Sequence, residues 1–546
     1  MMKKYFVHIL LILGVLVVSS CDFDELLDSP NDITLSSADA TSLLNRIQVN
    51  FADFYYTTSL FGGRVTRILH QAADTYEISY QAVTMNGVWN NAYANILNDI
   101  KNLKELAAAS NFRRHLGIAK TLEAYVWMTL VDVFGDVPLS EALDPSNFNP
   151  KVDNGAAVYQ AALALLASAR EDFTATSIGT PTDFFYANNY TRWIRLTNTL
   201  ELRYHLNRRL IDSGGATSAI NALIAGGNLL QEGDDFYFRY GRSANDPDSR
   251  HPWFSVQFPQ GGGHYQSVFF MWHLTEAKGF DDPRAKYYFY RQVAANPTSE
   301  AEARCVNEFV PFHYPQGMPW CMPGERGYWG RDHLDPQGIP PDNNRRTLYG
   351  IYPAGVLFDN NAPASITAST PGNGGAGILP IMLASYVDFM RAEAALQLGT
   401  TGSPKDLMVA GATKHINFVR TWSLTTTEAA KIRAFQSDAD YAADRDRYTA
   451  HISAEYDAAA SNIDRMRLIA REYWISLYGG GNEAYNLYRR TGQPDNMQPG
   501  QIPNFGRFPR TFPYPDSHVN RNANAQQKPS FDSKVFWDNN PDGFIN

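Results

Sequence analysis

Cys21 is the first residue whose surroundings point to a defined reaction. Lys3 and Lys4 give a positive start, Tyr5 to Val18 a largely apolar run, and Val18-Ser19-Ser20-Cys21 closes it. An apolar stretch this short, ending in small residues, fits a cleaved export signal and not a membrane span. A cysteine at that point resembles a bacterial lipobox. There the thiol is diacylated, the signal is cut before it, and the new amino terminus is acylated. Two or three acyl chains would hold a soluble body on a membrane, whereas one chain binds only marginally. A plain secretory signal with a chance cysteine is the alternative. Asp22, Asp24, Glu25 and Asp28 follow directly. The expected layout is therefore a leader over 1–20, an acidic lipidated tether over 21–35 and one body over 36–546.

Other reactive groups are few. Cys305 and Cys321 are the two remaining cysteines of three, and an oxidising compartment allows either a disulfide or two free thiols. No C-x-x-C or H-E-x-x-H occurs, so no zinc site is expected. G-x-x-x-x-G-K-[ST] and G-x-S-x-G are also missing. Asp438, Asp440 and Asp444 superficially resemble a calcium loop, but Ala443 and Thr449 stand where it needs Gly and Glu, so a solvated helix face is expected. Neither metal nor cofactor is predicted. The formal charge is −9, or −11 once Lys3 and Lys4 leave with the signal, which argues against nucleic acid. A carboxylate pair for glycoside hydrolysis stays open, because 56 acidic residues guarantee candidates.

What remains is a binding surface. The chain holds 31 Phe, 30 Tyr and 10 Trp, and flat rings against sugar faces with polar side chains on the hydroxyls would recognise a carbohydrate. Trp253, Tyr265, Trp272, Trp320, Tyr328, Trp329 and Arg331 lie in one stretch. Tyr328-Trp329-x-Arg331 is the best local candidate, on the argument that two adjacent rings do not easily share one core face.

The elements that must position these groups differ along the chain. Leu116, Ala119, Leu122, Val126, Thr129 and Val133 recur at helical steps, with Gly135 and Pro138 as the stop. Trp193 through Leu210 repeats the pattern, with Gly214-Gly215 predicted to end it. Trp89 to Ile100, Val158 to Phe173, Ile381 to Leu398 capped by Gly399, Ala412 to Trp422, Thr427 to Phe435 and Asn462 to Tyr478 are further predicted helices. Between them, residues 236–346 hold 22 of the chain's 69 Gly and Pro, so loops and short strands are expected there. The resulting architecture is mainly α, helix pairs around one irregular lobe at about 236–378.

Three segments resemble a known family. Ala119-x3-Glu123-Ala124-x5-Leu130-Val131-Asp132-Val133-Phe134-Gly135-Asp136-Val137-Pro138-Leu139-Ser140-Glu141-Ala142 is similar to a block of the SusD/RagB outer-membrane lipoproteins. So are Glu472-x-Trp474-Ile475-x-Leu477-Tyr478 with Glu483-Ala484-Tyr485-x2-Tyr488-Arg489-Arg490-Thr491-Gly492, and Phe508-Pro509-Arg510-x-Phe512-x-Tyr514-Pro515. Asp282-Pro283-Arg284 is a shorter match. His518 and Thr511 depart from the family pattern, where Glu and a second Arg are frequent.

The resemblance implies a tetratricopeptide-like helical scaffold with an irregular ligand-binding lobe. It also implies a cell-surface receptor on the outer membrane that closes over a SusC-like TonB-dependent β-barrel transporter. The Asp22–Asp28 run resembles the surface-export signal of Bacteroidetes-type lipoproteins. The family places the loop with Asp74 and Tyr76 near the ligand face. The expected site is then Tyr265, Trp272, Trp320, Tyr328 and Trp329 as platforms, with Asp74 and Arg331 as hydroxyl partners and Tyr76 beside them. A glycan is the leading ligand and a peptide the second. A surface hydrolase and a helical adaptor are the competing classes.

Overall fold

The computed structural model describes residues 39–258, 264–337 and 345–545. The expected leader, tether and Cys21, and the Gly261–Gly263 triplet, lie outside them.

The first half is a helical stack. Helix α1 (Ala40–Val65) starts at the Asp39 N-cap and buries one long apolar face. Asn86–Asn90 and a π-helical turn Asn91–Leu97 lead into α2 (Asn98–Ser110), and α3 (Arg113–Phe134) follows. Helices α4 (Gly155–Thr174), α5 (Tyr190–Asn207) and α6 (Ser213–Ala225) then pack each on its predecessor, α4 against α3. Gly135 ends α3 with φ +81°, a conformation that suits glycine. The Gly214-Gly215 pair behaves differently from expectation. It lies in the first turn of α6, where the Asp212 side chain caps the Gly215 N–H at 3.0 Å. An N-terminal turn tolerates glycine because its first amides need a side-chain acceptor more than a side chain of their own.

The second helical block comprises α7 (Ala384–Leu398), α8 (Pro404–Ser423), α9 (Asp438–Ala458), α10 (Asn462–Ser476) and α11 (Gly481–Thr491). Ile381, predicted to open α7, belongs to a strand instead. Asp438 and Asp440 sit in the first turn of α9 behind the Ser437 cap, where carboxylates favour the helix end. Between the blocks, β1 (Phe236–Arg239) pairs antiparallel with β4 (Ile378–Met382), and β2 (Phe289–Tyr290) with β3 (Leu348–Tyr349). The segment they enclose is the irregular lobe.

Two of the contacts between the halves show how they are joined. Helix α11 crosses α1 at backbone distance: a Cβ on Gly481 would stand 1.9 Å from the Ser59 carbonyl oxygen. Gly481→Ala must therefore push the helices apart. An overpacking loss of about 1–3 kcal/mol is expected, to be read in urea unfolding.

The second contact is ionic. Buried Arg203 of α5 donates to Glu483 of α11 at 2.6 Å and to Asp132 of α3 at 2.5 Å. Asp132 also accepts from Trp537 at 2.9 Å and Asn486 at 2.9 Å. Arg489 donates to the carbonyls of Asp132 and Arg510, both at 2.8 Å, and Arg490 grips Glu393 at 2.9 and 2.8 Å. The three sequence blocks thus meet in one buried polar knot.

Candidate functional site

The site face begins where α1 ends. Arg67, at φ +60°, is buried and donates to the Gln498 carbonyl at 3.0 Å, turning the chain into the 68–85 loop. The loop is clamped at Tyr76. Its N–H reaches the Phe505 carbonyl at 3.2 Å, its hydroxyl meets His333 Nε2 at 3.0 Å, and Phe505 packs edge-on against its ring. Asp74 is left partly exposed.

Cys305 and Cys321 form a disulfide, which closes a loop over the same face. Arg304 ties one end of it to Glu308 and Asp335, at 3.0 and 3.4 Å. His313 Nε2 lies 2.9 Å from the Gly500 carbonyl oxygen, Gln498 donates to the Pro319 carbonyl at 3.1 Å, and the Cys321 N–H donates to Asp332 at 2.8 Å. The loop so held presents Phe309 at 96 % and Phe312 at 89 % exposure, with Val310 at 50 %. Two phenyl rings held in water on a pinned loop form an apolar patch of the kind that marks a binding surface. Half-buried Trp320 stands at the loop's exit, edge-on to Tyr314 at 6.0 Å.

The structure buries several of the expected residues. Tyr76, Tyr265, Tyr328, Trp329 and Arg331 are all buried, and Trp329 is only 1 % exposed. The reason is that the Tyr328–Arg331 segment runs between two layers. Gly330 lies so near Gln266 that a Cβ would meet its carbonyl oxygen at 2.0 Å, and Arg331 pairs with Gln266 and Val268 through backbone bonds of 3.0 and 3.1 Å. Successive side chains point to opposite sides, and both sides are covered. On one, Arg291 stacks on Tyr328 at 4.8 Å and Phe289 meets its edge. On the other, the Arg331 guanidinium lies 4.0 Å over Tyr265 and 5.9 Å from Trp329. The argument that adjacent rings cannot both be buried fails in a segment with two interiors. Trp253 is buried too, stacked on Tyr349 at 4.5 Å. Trp272 keeps partial exposure on a short helix, Val268–Thr275, beside Phe269 and His273. Among the expected residues, Asp74, Trp272 and Trp320 retain a solvent edge.

Phe309 and Phe312 were not singled out by sequence. No local signal marks them, since Tyr314 of the same disulfide loop is buried.

Asp332 gives the face an unusual ionisation. Burial first, and the Asp335 carboxylate second, push it up to about 8. A carboxyl raised in the folded protein keeps its proton while the unfolded chain has lost it, so stability should fall as pH rises from about 4 to about 8 and level off above. Asp332→Asn retains an acceptor for Cys321 and should flatten that slope, measured by thermal unfolding across pH. Among the described residues, no group of three or more His, Cys, Asp or Glu converges to hold a metal ion.

Helix pairs carrying one irregular lobe give the mainly α architecture that the sequence resemblance implies. Family comparison agrees. A family described as starch-binding and associating with the outer membrane matches residues 30–307, and the SusD and RagB outer-membrane lipoprotein family matches residues 342–531. This chain belongs to the SusD/RagB family. A SusD/RagB family protein from Bacteroides thetaiotaomicron superposes with TM-score 0.69 at 15 % identity, covering 92 % of this chain and 100 % of its own. A chitin-binding SusD homologue from Flavobacterium johnsoniae gives 0.62 at 18 %, over 91 % and 98 %. A further chitin-binding protein gives 0.64 at 18 %, over 92 % and 100 %. At such identities the likeness carries the fold alone. No match among curated proteins is found.

Proposed function

We propose that this chain is a non-catalytic receptor for oligo- or polysaccharide, and that the disulfide loop is its capture surface. The observation that carries the reading is the pair Phe309 and Phe312, held bare on a loop fastened by a disulfide and three separate hydrogen bonds. Rigid rings of this kind lose little entropy on stacking against a sugar face, and pre-organisation is what converts a modest contact area into affinity. Asp74 and Trp320, on neighbouring segments, would add hydroxyl and ring contacts, with Trp272 as a further platform of the lobe.

The family supports the rest of the reading. Cleavage before Cys21 and its acylation would put the body on the outer membrane, surface-exposed behind the acidic tether. A SusC-like TonB-dependent barrel would take the captured glycan onward. The 36–546 segment acts as one unit in this scheme. A peptide ligand is the second reading, favoured by the aliphatic Val310 between the two rings.

Soluble protein starting after Cys21 should be retained by immobilised chitin or starch and by few of the peptides on a parallel array. Retention by peptides alone would transfer the function to the second reading, and retention by neither would refute capture on this face.

A further inference from the structure

A second cleft, of about 630 Å³, opens on the lobe where Lys286, Arg326 and the start of α9 come together. Phe280 and Phe435 are half-buried in its walls, and buried Tyr328 contributes to its lining. Its arginines are already neutralised. Arg326 spans Glu276 at 2.8 Å and Asp281 at 2.9 Å, Arg291 holds Asp359 at 2.6 Å, and Arg447 pairs with Asp444.

Lys286 is different. Its ammonium donates to the Asn361 side chain and lies 5.4 Å from the Phe435 ring centroid. Among the described residues, no carboxylate forms an ion pair with it. Burial, the larger effect, holds this half-buried ammonium below the ordinary lysine range, and the Asp359 and Asp281 carboxylates, beyond ion-pair distance, offset only part of it. Of its three N–H groups, Asn361 occupies one.

We propose that this cleft is a second binding site, distinct from the disulfide loop, for a sugar that carries a carboxylate. The acid meets Lys286 Nζ, and the sugar ring rests against Phe280 and Phe435. A lysine suits this role because its compact charge accepts a single carboxylate oxygen without demanding a forked geometry. Neutral hydroxyls would find Asn361 and Gln436 within the same walls.

The probe is a galacturonate tetrasaccharide, compared by calorimetry with its methyl ester and with inorganic sulfate. The acid form should bind at least tenfold more tightly than the ester. Lys286→Met should remove that preference, Lys286→Arg should keep most of it, and joint Phe309→Ala and Phe312→Ala should leave it unchanged. Should Lys286→Met fail to fold, Asn361→Ala, at an exposed position, takes its place with a several-fold weakening expected. Equal affinity for acid and ester, an unaltered Lys286→Met, or no binding at all would overturn the proposal. Sulfate binding as tightly as the sugar would also overturn it, reducing the site to a simple anion contact. Because the acid-over-ester preference is read at Lys286 and capture of neutral glycan at Phe309 and Phe312, either site can fail while the other stands.

Discussion

Arg203→Met is expected to destabilise the protein by about 3–5 kcal/mol, because it leaves two buried carboxylates facing each other without their shared cation. The guanidinium bridges Asp132 at 2.5 Å and Glu483 at 2.6 Å, and all three side chains are almost wholly buried. Asp132 would keep its bonds from Trp537 and Asn486. Arg203 joins α3, α5 and α11, so the loss should appear as cooperative unfolding at lower urea and not as local fraying. Arg203→Lys keeps the charge but loses the fork that reaches both acids at once, and should fall between. A midpoint for Arg203→Met within about 1 kcal/mol of the parent would show that the knot does not join the two halves.

The second large effect separates rings that bind from rings that pack. Trp329→Ala should cost about 3–5 kcal/mol of stability, the usual range for emptying a buried tryptophan site. Phe309→Ala and Phe312→Ala should leave the unfolding midpoint almost unchanged, since their rings already stand in water. Each should instead weaken glycan binding by roughly three- to tenfold, the equivalent of about 0.5–1.5 kcal/mol per stacked ring. Binding isotherms and urea curves on the same preparations give both quantities. Full affinity in the double Phe variant would move the capture surface off this loop. Loss of binding by folded Trp329→Ala would return the buried segment to consideration.

Much of the scaffold was legible in the residues. Spacing at three and four located α3, α4, α5 and α10 to within a few positions, because an amphipathic face is a local property of consecutive residues. Gly135 was identifiable as a stop for the same reason. The Arg489-Arg490 pair of the second block ties down two carbonyls through Arg489 and a carboxylate through Arg490. Local pattern was weaker at element junctions. Ile381 continues the apolar run of α7, yet it falls in β4 because Phe236 to Arg239, some 140 positions away, pairs with that strand on either side of it.

Which aromatics face water was decided by tertiary structure alone. Trp329 and Phe309 are both large, apolar and set among glycines and prolines, so composition treats them alike. Trp329 is buried because its segment is sandwiched between distant parts of the chain, and Phe309 is exposed because a disulfide and bonds to Gln498, Gly500 and Asp332 hold its loop outward. Lys286 likewise carries no sequence mark; only the cleft shows that its neighbours have spent their carboxylates on arginines. The sequence determined the family, the helices and the residues that knot them together, since those depend on local periodicity and contiguous motifs. Exposure and charge balance are sums over neighbours remote in sequence, and only the folded chain brings those neighbours together.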